Sequence, residues 1–355
     1  MIYVEIIVMI VGAFLAFFFA LWYSSCFEDF KDSYTYNDKP SLLCIFTKGL
    51  ILSLKRKQGR LYREGGKFGL RLSSVGSKDS TANSVSSTGI RPKRANIVFK
   101  DCRLNPAKLQ EYRKVCGDTE SVSVPLMYME CLFTRPLITL AVSSKSQLAP
   151  LGLIHIKQTV TIYENLDDLL TLPFDLDTEV MRYREVDRGV EADIRLQVFN
   201  MAEKCVWEGE TTLLSRNPKA QRSGGHRTAP VKPEQGGFNE VELSVPGDTG
   251  IRYAKATGDW NPHHLYSWSA KLLGYRQPIA HGMWTLAKAL AVIQNSGGTL
   301  TLPVHVDASF KRPLFMPGVC LVQCGVTSPA VRWLRVVDKV TGAPHLIATV
   351  TLLKT

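Results

Sequence analysis

Between residues 180 and 200 the side chains alternate so regularly that one element is forced. Val190, Ala192, Ile194, Leu196 and Val198 fall on one parity and Glu191, Asp193, Arg195 and Gln197 on the other, after a turn at Asp187-Arg188-Gly189. A side-chain period of two, with one parity apolar, is an antiparallel strand with one face buried and one wet. Residues 155–163 and 204–214 read as further strands, and residues 125–133 as a short apolar helix that starts with a proline in its first turn. After a Gly-, Pro- and Arg-containing loop at 221–237 the same order recurs: a strand at 241–245, a helix at 282–294 with Met283, Leu286, Leu290 and Ile293 on one side, and four strands between 302 and 353. Helix followed by antiparallel sheet, twice, predicts an α+β body of two modules.

The chain has 355 residues and a formal net charge of +11, but residues 1–100 carry +8 of it and the remaining 255 only +3. That asymmetry excludes a basic nucleic-acid-binding face on the body and assigns the basicity to the N-terminal region. The eight cysteines show no Cys-x-x-Cys pair and no histidine at zinc spacing, so neither a zinc site nor a disulfide framework is expected. Cys320 and Cys324 share one face of a strand as small packed hydrophobes.

Residues 6–27 are uncharged over 22 positions, with Trp22 and Tyr23 near the far end. At about 1.5 Å per residue this length matches a hydrocarbon core of ~30 Å, and the stretch lacks the basic start of a cleaved signal peptide. The sequence therefore predicts an N-terminal transmembrane helix. Lys48, Lys55, Arg56, Lys57, Arg60 and Arg63 follow it, which by the positive-inside rule gives a single-pass protein with a cytosolic body, the endoplasmic reticulum ranking ahead of mitochondrion and peroxisome. Residues 42–54 are apolar but short, and fit either a membrane-surface helix or one packed on the body. Residues 73–92 are Ser-rich and read as a flexible tether. The expected division is an anchor at 1–27, a basic segment and linker at 28–94, and modules at 95–225 and 226–355.

The chemistry is concentrated in residues 253–282. Asn261 stands at a helix N-cap position and Pro262 at the first helical residue, with Asp259 in the loop before and His264 in the first turn after. A carboxylate and an imidazole converging on one water form a general acid/base pair. Gly282 opens an apolar helix, where its N–H has no intrahelical acceptor and can face a developing oxyanion.

Gly258-Asp259-x-Asn261-Pro262-x-His264, then Ala270, Gly274-Tyr275, Ile279-Ala280-His281-Gly282, and then Phe310-Lys311-Arg312-Pro313-Leu314-Phe315 with Gly318, resembles the MaoC-like (R)-specific enoyl-CoA hydratase and 3-hydroxyacyl-thioester dehydratase family. The resemblance is close over residues 240–355 and looser over 120–220. It implies a double hotdog, each module an antiparallel sheet wrapped around a long central helix. It also implies syn hydration of trans-2-enoyl thioesters in fatty acid metabolism, with acyl-CoA or acyl carrier protein as the carrier. Carried over by position, Asp259 and His264 hold the water and move the proton, Asn261 orients them, and the Gly282 N–H binds the thioester oxygen. His281, Lys311 and Arg312 are the expected substrate-binding residues, the two cations meeting the phosphates of the carrier arm. No metal or redox cofactor is implied, and a homodimer is allowed. The first module lacks the Asp-x-Asn-Pro-x-His pattern and would wall the acyl tunnel. His263 departs from the small or aliphatic residue usual in the family and is expected to face solvent, while Trp260 stands where it would narrow the mouth. A hotdog thioesterase or a non-catalytic acyl-thioester binding module remain the other classes.

Overall fold

The computed structural model describes residues 30–35, 37–62, 95–118, 123–218, 238–295 and 300–354. The first module contains β1 (Ser33–Thr35), α1 (Leu42–Lys55), β2 (Asn96–Cys102), α2 (Pro106–Cys116), α3 (Tyr128–Leu132), α4 (Thr134–Val142), β3 (Leu153–Ile162), β4 (Phe174–Val186), β5 (Gly189–Phe199) and β6 (Cys205–Arg216). The second contains β7 (Phe238–Val245), α5 (Thr249–Thr257), α6 (Ser267–Leu272), α7 (Gly282–Asn295), β8 (Val304–Phe310), β9 (Gly318–Ser328), β10 (Val331–Asp338) and β11 (Pro344–Leu352).

All eleven strands join in one sheet, in the order β1-β2-β4-β5-β6-β3-β8-β11-β10-β9-β7. The two modules repeat one topology: numbering each module's five principal strands by sequence, both run first, third, fourth, fifth, second. They meet where the two second strands pair antiparallel, Lys157 opposite Ser309 through Ile162 opposite Val304. The alternating segment is β5, with Val190, Ala192, Leu196 and Val198 all buried, paired to β4 from Asp175 opposite Phe199 down to the hairpin turn.

The central helices differ. In the second module α7 is one helix whose Trp284, Leu286, Ala289 and Leu290 are buried. In the first module two pieces of five and nine residues, α3 and α4, take its place. The expectation of a long central helix in both modules holds for the second only. Phe133, at the joint between α3 and α4, stacks on the fully buried Trp207 of β6, with ring centroids 5.5 Å apart and planes 17° apart, a pair worth about 0.5–1.5 kcal/mol beyond its buried area.

α2 fastens the two modules. Asn105 caps it by accepting the Lys108 N–H at 3.1 Å, Pro106 starts it, and Gly117 ends it at φ 73°. Its last turn accepts a hydrogen bond from the indole of Trp284 on α7, Nε1 to the Val115 carbonyl at 3.0 Å. Asn105→Ala should lower unfolding free energy by about 1 kcal/mol in urea titration, the usual cost of a lost N-cap.

Two expectations about the N-terminal region are corrected. Among the described residues no helix is long and apolar enough to cross a membrane, and residues 6–27, on which the transmembrane helix rested, lie outside the described residues, as does the Ser-rich stretch 73–92. Of the basic residues used for orientation, Lys55, Lys57 and Arg60 are exposed, but two are turned into the protein. Lys48 is buried with its ammonium 4.3 Å from the Phe30 ring centroid, and the buried Arg56 donates to the Ser146 and Leu148 carbonyls at 2.9 and 3.1 Å. With no described helix able to cross a membrane, the single-pass, endoplasmic-reticulum placement and the membrane as partner are withdrawn. Of the two alternatives for residues 42–54 the packed helix is the one found: Cys44, Ile45 and Gly49 of α1 are buried, and β1 extends the sheet by pairing parallel to β2.

Candidate active site

The Asp-x-Asn-Pro-x-His motif does not form the helix that Asn261-Pro262 suggests, but a three-residue 3-10 turn, Pro262–His264. α5 ends at Gly258 in the left-handed conformation, φ 82°, with its N–H on the Ala254 carbonyl. That reversal releases Asp259 into a tight loop, where its Oδ1 accepts the Asn261 N–H at 3.2 Å and its own N–H donates to Thr257 Oγ1. The Asn261 side chain makes no capping bond; its carbonyl accepts the His264 N–H at 3.0 Å. Asn261 therefore connects Asp259 and His264 through its backbone.

His264 is buried, with Nδ1 2.7 Å from the Ile279 carbonyl oxygen. A carbonyl only accepts, so Nδ1 carries the proton and Nε2 keeps its lone pair. Burial, with His281 adding to it, pushes the imidazole down to about 3, so it is a neutral base at pH 7. The His281 ring stacks on it, centroids 3.7 Å and planes 26° apart, and donates Nε2–H to the Asp259 backbone carbonyl at 3.1 Å. His281 is thus a hydrogen-bonded core residue that also lines the cavity. His263 is half-buried where a solvent-facing ring was expected: it meets His264 edge-on at 3.9 Å and packs near Tyr275 at 5.5 Å.

The segment before α7 is clamped. Ile279 donates to the His263 carbonyl, Ala280 to the Leu314 carbonyl, and Pro278 accepts from Met316. Gly282 then begins α7 at the cavity wall, and a Cβ there would come within 2.9 Å of the Phe310 ring. The first turn of the helix thus leaves N–H groups available beside Asp259 and His264.

These residues line a cavity of about 370 Å³. Lys311 and Arg312, both exposed, line it just beyond the end of β8, their N–H groups on the His345 carbonyl. Leu137, Ile138 and Ala141 of α4, Leu151, Leu153 and the Phe46 ring of α1 supply apolar lining. Trp260, partly exposed, lines the cavity as well. The reading by sequence missed Glu130, a buried carboxyl on α3 that faces the same space. Its signal was the single charge in the apolar stretch 124–133.

Asp259, His264 and His281 place one potential metal-ligating atom each within 4.8 Å of one another. The two imidazoles lie nearly face to face, however, and an ion 2.0–2.1 Å from a nitrogen of each would sit far outside both ring planes. The donor set therefore fits acid/base work better than chelation.

A five-stranded topology repeated in tandem, with a carboxylate and a neutral imidazole lining one cavity, defines a double hotdog. Residues 230–323 match the family model of the MaoC-like domain, and the second module is a MaoC-like domain. The 3-hydroxyacyl-thioester dehydratase X of Mycobacterium tuberculosis is 27% identical over 255 residues, 72% of this chain and 88% of that protein. The crystal structure of HtdX from the same organism superposes with a TM-score of 0.61 at 25% identity, covering 73% of this chain and all of that one. A further Mycobacterium tuberculosis protein, described as a double hotdog, aligns with a TM-score of 0.50 at 11% identity over 74% of this chain and 96% of its own, a likeness of fold.

Proposed function

We propose that the protein catalyses the reversible syn hydration of trans-2-enoyl thioesters to (R)-3-hydroxyacyl thioesters. The observation that carries this reading is that one cavity is lined by Asp259, His264 and the start of α7 together with the cations Lys311 and Arg312 and a set of apolar side chains. A thioester of CoA or of an acyl carrier protein carries the complementary groups: phosphates, a reacting carbonyl and a hydrocarbon chain. The similarity to a 3-hydroxyacyl-thioester dehydratase supports the same chemistry.

In the hydration direction a water sits between the Asp259 carboxylate and the His264 Nε2 lone pair. As its oxygen adds to C3, the pair removes one proton and returns one to C2 on the same face, which makes the addition syn. The negative charge that builds on the thioester oxygen falls at the N-terminus of α7, where the Gly282 N–H and the helix dipole oppose it. Lys311 and Arg312 bind the phosphates of the arm. Burial keeps His264 uncharged, so it accepts a proton at neutral pH without first losing one. The broken central helix of the first module leaves the room that the acyl chain needs.

The test is hydration of trans-2-enoyl-CoA substrates of graded length by the full chain, with chiral analysis of the product and a parallel assay for free thiol. An (R)-3-hydroxyacyl product without thiol release is expected. Thiol release without hydration would make the protein a thioesterase, and saturable binding without turnover a carrier of acyl thioesters.

A further inference from the structure

The two modules share a plan of five strands, but the first carries an addition to it: α1 precedes its first principal strand, and no described helix stands in that position before β7. This added helix reaches the active site. Its Phe46 ring lines the cavity together with Leu137, Ile138 and Ala141 of α4, and keeps 44% of its surface accessible. An apolar ring with accessible surface in a reaction cavity offers a partner to hydrocarbon and nothing to a phosphate or a proton.

The seating of α1 is specific at both ends. Ser41 caps it, Oγ accepting the Cys44 N–H at 3.1 Å, and Arg135 of α4 donates to the Pro40 carbonyl just before it. Phe46, Gly49 and Ser53 recur at i, i+3 and i+7 and share one face of the helix. Gly49 lies so close to α4 that a Cβ there would stand 3.3 Å from a Val142 methyl. Further along the same face, Ser53 Oγ accepts the Leu151 N–H at 3.2 Å, while Gln58 Nε2 donates to the Leu151 carbonyl at 3.1 Å. Both backbone groups of Leu151, itself a cavity residue, are thus fixed by α1 and its exit. The loop before Leu151 is fastened by the same segment, through Arg56 on the Ser146 and Leu148 carbonyls and the Tyr62 N–H on the Gln147 carbonyl at 2.9 Å.

We propose that α1 is the chain-length selector of this site: Phe46, with the Leu151 that α1 holds in place, contacts the acyl chain beyond its reacting carbons and selects medium-chain over short-chain enoyl thioesters. This role rests on the hydration reading. It gives the added helix a function that the repeated five-strand plan does not need for folding.

The physical basis is the apolar area on offer. A crotonyl group has a single methyl beyond C3, whereas the cavity presents the Phe46 ring and the aliphatic side chains of Leu137, Ile138, Ala141, Leu151 and Leu153. Those walls are more than one methyl can cover. Each methylene moved from water onto such a surface improves binding about fourfold, so the preference should grow with chain length until the walls are covered. Because the ring is partly exposed and makes no capping or core contact that the helix depends on, shortening it removes wall without removing the seat of α1.

The experiment measures kcat and KM of the full chain for crotonyl and trans-2-decenoyl thioesters, on CoA and on an acyl carrier protein, for wild type, Phe46→Ala, Phe46→Leu and Leu54→Ala. Wild type should favour the decenoyl substrate in kcat/KM by about tenfold or more. Phe46→Ala should lower that ratio about tenfold, chiefly by raising KM for the decenoyl substrate, because the energy lost is binding common to ground and transition states. Phe46→Leu, which restores apolar surface, should recover most of the ratio. Leu54 is on the same helix but 81% exposed and off the cavity, so Leu54→Ala should keep the wild-type ratio. A wild type that favours crotonyl, an unchanged ratio in Phe46→Ala, or an equal fall in Leu54→Ala overturns the role of α1 and leaves hydration standing. A wild type that hydrates neither substrate on either carrier overturns the hydration reading and this role with it.

Discussion

Asp259→Asn should lower the rate of enoyl-thioester hydration by about 10²-fold or more while the thermal midpoint stays within a degree or two. An amide is close in shape to the carboxylate, its oxygen still accepts the Asn261 N–H, and the side chain is partly exposed, so the fold loses little. What disappears is the basic oxygen, and loss of a general acid/base group costs about 10²–10⁴ in rate. His264→Ala should cost at least as much in rate but should also destabilise, because it strands the buried Ile279 carbonyl that now receives Nδ1–H, a penalty of about 1–3 kcal/mol. If the two groups hold one water together, the double variant should be little slower than the worse single one, since residues that act as a unit are not additive. The acid side of the wild-type profile carries a further expectation. Burial holds His264 at about 3, so its protonation should not switch the enzyme off near pH 6.5, where an exposed histidine would. Stopped activity in neither folded variant would remove the acid/base assignment.

Much of this arrangement is legible in the sequence because it depends on short-range rules. The alternation in β5 fixes the strand, the strand and helix order fixes the repeated module, and the Asp-x-Asn-Pro-x-His spacing fixes where the chain must turn from α5 into the site. What escapes is set by contacts between distant segments. His263 looks like a surface residue by composition, but the Ile279 N–H pulls its carbonyl inward and the ring follows onto His264. Lys48 and Arg56 read as a juxtamembrane cluster until the Phe30 ring and the Ser146 and Leu148 carbonyls are brought to them from elsewhere in the chain. The break between α3 and α4 does have a local signal, Pro136 in the first turn of α4, which cannot donate to the Leu132 carbonyl four residues back, but the seating of Phe133 on Trp207, more than seventy residues further along, is not legible locally. Glu130 belongs to the same class. A single acid in an apolar helix is an anomaly in the sequence, and only the fold shows that it lines the same cavity as Asp259.

Gly250→Ala should lower turnover by about 10²-fold and the thermal midpoint as well, although the residue touches no substrate. Gly250 lies in the first turn of α5 where that helix crosses the catalytic turn, and a Cβ there would stand 1.8 Å from the His264 carbonyl oxygen, with the Met316 side chain 3.0 Å away on another side. The nearest atom is backbone, so no rotamer change relieves the clash. Either α5 retreats or the Pro262–His264 turn does, by more than 1 Å. α5 is held by Tyr253, whose ring packs at 4.7 Å on His281 and at 6.0 Å on Tyr112, while the turn is held by Ile279 through both the His263 carbonyl and His264 Nδ1. Movement of either one shifts His264 against Asp259, and a displacement of about 1 Å can cost 10²-fold when two groups must meet one water. Overpacking a core contact typically costs about 1–3 kcal/mol besides. The control is Gly342→Asn. That glycine is required for its left-handed backbone, φ 65°, with open space around a Cβ, and asparagine tolerates that conformation, so activity should be unchanged. Wild-type turnover in Gly250→Ala would mean that the catalytic turn has freedom to move without loss, and the rigid seating of His264 on α5 would then be no part of how the site works.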